Sequence, residues 1–303
     1  MKLGLTRTID PRLYSLVYPT REYYLQRGFG RGPADQAELM SFRAAAPPPE
    51  PADPPAEVDV VEYGGRRVPV RIHRPTSGDP AGVLLDIHGG GFMMGSAARR
   101  DVAGRAIADR LGIAVVGVDY RLAPENPWPA APDDCETVAL WLTGHTGECF
   151  GTDHLAIGGF SAGATLAMTT LLRLRDRGVG GFRAAALQFG TYDLSGQTPS
   201  GRSIADEYFI EAYAGSAADR THPDISPVYA DLAGLPPTLI VVGQDDILMS
   251  DNIVMAAHLS AARVEVDLRV YPGAPHGFTA HPTPMGRAAL DDVDTWLGDR
   301  LRA

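Results

Sequence analysis

The stretch Ala156-Ile157-Gly158-Gly159-Phe160-Ser161-Ala162-Gly163-Ala164-Thr165-Leu166 constrains this chain more than any other. It reads as a buried strand that ends in glycines, then a serine, then a helix. Gly159-Phe160-Ser161-Ala162-Gly163 fits the G-x-S-x-G nucleophile elbow. A serine at the tip of so sharp a turn needs strained dihedrals. Glycines two residues before and after it let strand and helix pass closely. The following helix then offers free N–H groups and a positive dipole end beside the serine, where an oxyanion would be favoured.

The pattern around the elbow sets the fold class. Val83–Ile87, Ile113–Val118, Leu155–Ile157, Ala184–Phe189, Thr238–Val242 and Val264–Val270 are short apolar runs. Helical segments are expected at 101–111, 132–143, 162–177, 252–262 and 284–301, between and after those runs. This alternation predicts an α/β chain with a mostly parallel sheet and helices on both faces. Ahead of it, 58–63 and 68–73 alternate around Gly64-Gly65 and read as a β-hairpin. Residues 1 to about 45 look helical and aromatic-rich (Tyr14, Tyr18, Tyr23, Tyr24 and Phe29 among them), and the proline-rich run 46–55 is a stiff connector. The expected division is therefore 1–55, N-terminal helices and connector, and 56–303, the catalytic domain. Within the latter, about 191–234 breaks the rhythm and reads as an insertion above the carboxyl edge of the sheet, with a helical piece near 203–213. Together with the N-terminal helices it would form a cap.

Three further stretches sit where an elbow serine needs partners. His88-Gly89-Gly90-Gly91-Phe92 follows a strand directly. Backbone N–H groups aimed at a developing oxyanion stabilise the transition state more than the ground state, and side chains would block that approach. The N–H of Ala162, just after the serine, is the second donor set. The run lacks the lysine and the Ser/Thr of a phosphate-binding loop. Gln244-Asp245-Asp246 ends a central strand, where ligand chemistry sits in open α/β sheets. A carboxylate there would orient a histidine through Nδ1–H, and spacing alone does not choose between Asp245 and Asp246. Of the 8 histidines, His276 follows a strand in the turn-rich Tyr271–Phe278 loop. His258 lies inside a helix, and His281 is close to the same loop as His276. The chain order serine, aspartate, histidine is that of an α/β-hydrolase triad.

With these motifs the chain resembles the hormone-sensitive-lipase-like esterases, the bacterial family IV carboxylesterases. Asp119–Glu125, Pro127–Ala131, Ser226-Pro227, Gly234–Pro237 and His276-Gly277-Phe278 match that family's signature segments. The resemblance selects Asp246 as the triad acid and puts the oxyanion donors on Gly90, Gly91 and Ala162. It implies a carboxylesterase of the α/β-hydrolase fold, with Ser161, Asp246 and His276 catalytic and short-to-medium acyl esters as substrates. Phe92, Phe160, Tyr208 and Phe209 are expected to bind substrate, with Tyr213 and the N-terminal aromatics beside them. No metal or organic cofactor is implied, and some members dimerise through the final strand and helix. The chain departs from the family at Phe160, where Asp or Thr is usual, and at Ala164 and Asn126. Two other readings use the same residues: amide hydrolysis, deacetylation or acyl transfer on the same triad, and a catalytically silent receptor of the same fold, against which His276 argues.

Composition bounds the partners. A formal net charge of -10 disfavours nucleic acid and anionic membrane, both of which need basic patches. The 2 cysteines make no disulfide scaffold and fit a reducing cytoplasm. Residues 1–20 hold no apolar signal core, and no apolar run is long enough to span a bilayer. The expected partner is a small-molecule ester.

Overall fold

In the computed structural model of the chain, residues 8–27 and 30–302 are described. Phe29 and residues 1–7, expected within the N-terminal helical segment, lie outside them.

Eight strands form one sheet: β1 (Glu57–Tyr63), β2 (Arg66–His73), β3 (Val83–Ile87), β4 (Ala114–Val118), β5 (Leu155–Phe160), β6 (Phe182–Gln188), β7 (Thr238–Gly243) and β8 (Val266–Tyr271). Their order is β1-β2-β4-β3-β5-β6-β7-β8. β2 runs antiparallel to both β1 and β4, and every pairing from β4 to β8 is parallel. The mostly parallel sheet is as the alternation predicts. Its central strands are apolar because both faces are covered. Successive residues along β5 and β7 serve opposite faces: Ile157 and Ile240 belong to one core, Ala156, Leu239 and Val241 to the other.

Helices α3 (Asp101–Leu111) and α9 (Pro284–Arg302) cover one face. Helices α4 (Ala130–Phe150), α5 (Ala162–Asp176) and α8 (Met249–Ala261) cover the other. α4 extends well beyond the expected 132–143. Thr146 and Phe150 are buried and hold the last turns against the core, and the helix passes Gly144 and Gly147 before ending at Gly151, whose φ of 73° caps it. β8 starts at Val266 rather than 264, because Arg263 at φ 65° is still turning the chain.

Two pairs of short helices lie over the carboxyl edge. The first is α1 (Val17–Arg27) and α2 (Gln36–Ala45); the second is α6 (Pro199–Ser203) and α7 (Tyr208–Ala214), in the insertion. α1 packs on the β8–α9 side, where Val17 and Arg21 lie against Gly273. Arg43 of α2 donates to the carbonyls of Met93 (2.7 and 2.9 Å) and Ala123 (2.7 Å) and pairs with Glu125. Among the described residues no helix is long and apolar enough to cross a membrane.

Candidate active site

The elbow between β5 and α5 has the strain its sequence implies. Ser161 sits at φ 53° and ψ -124°, a region an L-residue occupies only when its surroundings enforce it. Those surroundings are tight. A Cβ on Gly159 would strike the Gly163 carbonyl, and one on Gly163 would strike the carbonyl oxygens of Ile87 and His88. The elbow is thus wedged against the end of β3, which brings the glycine loop beside the serine.

Ser161 Oγ lies 3.0 Å from His276 Nε2. His276 Nδ1 lies 3.1 Å from both carboxylate oxygens of Asp246. The side chain of Asp246 is fully buried, while that of His276 is 36% exposed, so the acid is shielded and the base faces the cleft. Asp246 Oδ1 also accepts the Leu248 N–H at 2.8 Å. With Nδ1–H donating to Asp246, Nε2 is free to accept the serine proton.

The two loops that carry acid and base are bonded to each other. Gln244 N–H donates to the Tyr271 carbonyl and Asp245 N–H to the Ala274 carbonyl. Gly243 leaves room for this approach, since a Cβ there would strike the Ala274 carbonyl. Asp245 itself faces away and pairs with Arg21 at 3.2 Å. The alternatives His258 and His281 are engaged elsewhere, on the Val228 carbonyl and the Tyr24 hydroxyl.

The glycine loop turns through positive φ at Gly90 (117°), Gly91 (59°) and Phe92 (60°). Among the described residues, the N–H groups of Gly90, Gly91 and Ala162 donate to no protein acceptor, as donors reserved for a ligand would. His88 holds the loop from beneath. Its Nδ1 lies 2.8 Å from the Gly89 carbonyl, its ring stacks on Tyr120 at 4.1 Å, and Tyr120 donates to the His88 carbonyl. Burial pushes the His88 pKa below its usual 6.5, so the ring is neutral and structural.

The expected substrate contacts divide. Phe160, Tyr208 and Phe209 are half-buried, and Phe209 sits directly over Gly91. Phe92 and Tyr213 need correction. Both are fully buried and stack on each other at 3.9 Å, so they brace the glycine loop against α7 and do not open onto the cleft. Two residues escaped the sequence reading. Phe189, at φ 39°, packs edge-on against His276 with ring centroids 5.2 Å apart. The Gln188 carbonyl accepts the Ser161 N–H at 2.9 Å. Only their place at the end of a strand beside the elbow could have flagged them.

The chain is similar to known proteins over most of its length. A family described as having the alpha/beta hydrolase fold matches residues 84–280. The chain is 32% identical over 264 residues to an ethyl acetate hydrolase of Pseudomonas putida, covering 81% of this chain and 83% of that protein. It superimposes on a hormone-sensitive lipase from a metagenome library with a TM-score of 0.74 and 30% identity, over 96% of this chain and 98% of that one. Against EstE5, whose crystals were soaked with p-nitrophenyl butyrate, the TM-score is 0.78 and the identity 29%, over 97% and 100% of the two chains.

Proposed function

This chain belongs to the α/β hydrolase fold family, among the hormone-sensitive-lipase-like carboxylesterases, and from that premise we propose that it hydrolyses short-to-medium acyl carboxylic esters through Ser161, His276 and Asp246. The observation that carries the reading is the continuous chain of contacts from Ser161 Oγ to His276 at 3.0 Å and on to Asp246 at 3.1 Å.

Ser161 Oγ attacks the ester carbonyl while its proton passes to His276 Nε2. Asp246, buried and acceptor-only, holds the imidazole in the useful tautomer and stabilises the imidazolium. The carbonyl oxygen becomes an oxyanion on the N–H groups of Gly90, Gly91 and Ala162. His276 then protonates the leaving alcohol, and a water deprotonated by the same nitrogen cleaves the acyl-enzyme. α1 and α2 with the 191–234 insertion act as a cap over this cleft, and Phe209 above Gly91 limits the room for a long acyl chain. The similarity to an ethyl acetate hydrolase supports small substrates.

A fluorophosphonate should label the protein at Ser161 with one-to-one stoichiometry, and Ser161→Ala should abolish labelling and lower kcat on p-nitrophenyl acetate by roughly 10³-fold or more. A folded protein that neither labels nor turns over any ester would leave the receptor reading standing. Turnover of acetylated amines or glycosides well above that of esters would favour deacetylation.

A further inference from the structure

Phe160 stands where the related esterases usually carry a small polar residue, and the structure shows what it borders. Its ring packs against Gly89, where a Cβ would lie 2.7 Å from it. The Arg100 guanidinium lies 5.0 Å from the ring centroid, and Phe189, which touches His276, meets it edge-on at 6.3 Å. Beyond the ring, among the described residues, lies a cavity of about 580 Å³. Its walls are the backbone of Gly89 and Gly90, the face of α3 that carries Val102, Ala106 and Ile107, and Leu290 of α9. The cavity therefore shares the glycine loop with the reaction centre, and the Phe160 ring forms part of its wall beside the elbow.

The chemistry of its lining is specific. The walls are mainly apolar, and Arg99, Arg100 and Arg110 stand among them. Arg100 is paired with Asp86 and Arg110 with Asp294, whereas Arg99 donates to the Pro47 carbonyl and has no carboxylate partner among the described residues. Apolar walls reward a hydrophobic group, while guanidinium groups and an aromatic wall reward a π-face over a saturated chain. A volume in the usual range for small-molecule pockets leaves space for a ring system.

Resting on the esterase reading, we propose that this cavity is a second arm of the substrate site, that it takes an aryl group of the ester, and that Phe160 and the exposed face of α3 determine the preference for it. A Phe160 contact of this kind acts on specificity, since the ring reaches none of the atoms that exchange protons.

The test compares kcat/KM for ethyl acetate with that for 2-naphthyl acetate, whose aryl group is in the alcohol half, and for ethyl 3-phenylpropanoate, whose aryl group is in the acyl half. Aryl-to-ethyl ratios are compared between variants, so intrinsic ester reactivity cancels. Ala106→Trp, on the exposed face of α3, and Phe160→Thr should each lower one of the two ratios by about tenfold or more. The ester whose ratio falls identifies the half that occupies the cavity. Val102→Trp at the exposed rim serves if Ala106→Trp does not fold. Esters turned over with both ratios within about twofold of the parent in every variant would overturn this inference alone. Absence of any ester turnover together with no fluorophosphonate labelling would overturn the esterase reading and this inference with it.

Discussion

Adjacent aspartates at the end of β7 illustrate what decides a role at the scale of one residue. Asp245 and Asp246 are the same chemical group at nearly the same place in the chain. The turn after Gly243 sends Asp246 inward, to full burial against His276, and leaves Asp245 on the surface beside Arg21. An exposed pair of that kind contributes little, about 0–1 kcal/mol. Asp246→Asn should therefore lower kcat by roughly 10³-fold or more with the fold retained, because the amide cannot hold the required tautomer. Asp245→Asn should stay within about threefold of the parent. The reverse ranking in steady-state kinetics would reassign the acid. The serine, the glycine loop and the histidine were legible in sequence because each needs local backbone freedom, and that demand appears as glycine and proline. Asp246 was legible only through resemblance, since burial is a tertiary property. Phe92 misled for the same reason: its neighbour in the chain is the glycine loop, but its ring turns away into Tyr213.

Among the elements, the sheet was readable because buried parallel strands are unbroken apolar runs. The helices over its edge were readable as helices, but contacts such as those of Arg43 were not, because long polar side chains carry no periodic signal. Arg43 of α2 shows how much such a contact does. Its guanidinium bridges the carbonyls of Met93 and Ala123 and the carboxylate of Glu125, which also lies below its usual carboxylate range chiefly because Arg43 bonds it. Met93 is itself tied to Gly90 through its N–H, so α2 grips the glycine loop from outside. Arg43→Leu should leave those carbonyls without their donor and loosen the loop. The expected result is a kcat lowered by about tenfold with a smaller change in KM, because the loop acts mainly in the transition state. Arg43→Lys, which keeps the charge but loses the planar fork, should recover only part of it. A loss confined to thermal stability, with kcat intact, would mean that α2 is a passive cover.

At the scale of the whole molecule, stability should carry a pH signature set by buried groups on opposite sides of neutrality. His73, His88 and His281 are each held below the usual histidine value of 6.5, chiefly by burial. The unfolded chain binds protons at these sites that the folded chain refuses. Their contribution is therefore complete above about pH 6.5 and is lost as pH falls below it. Asp251 opposes them. It is fully buried beside Tyr192, Asp193, Thr198 and Ser200, and burial outweighs the hydrogen bonds from Thr198 and Ser200 to raise its pKa to about 6. Its folded value lies above its unfolded one, so its charge weakens the fold at neutral pH and that cost is relieved as pH falls through about 6. Asp294, whose carboxyl is also held above its usual range by burial, acts in the same sense as Asp251, and the three histidines against these two carboxyls predict a lower Tm at pH 5 than at pH 7.5. Asp251→Asn separates the two effects, because it removes the buried charge and keeps the shape. It should raise Tm by about 2–5 °C at pH 8 and by almost nothing at pH 5, where the parent carboxyl is already protonated. Scanning calorimetry of both proteins across that range reads the difference directly. An equal shift at the two pH values would mean that the side chain acts through packing, with its charge neutralised in the fold by another route.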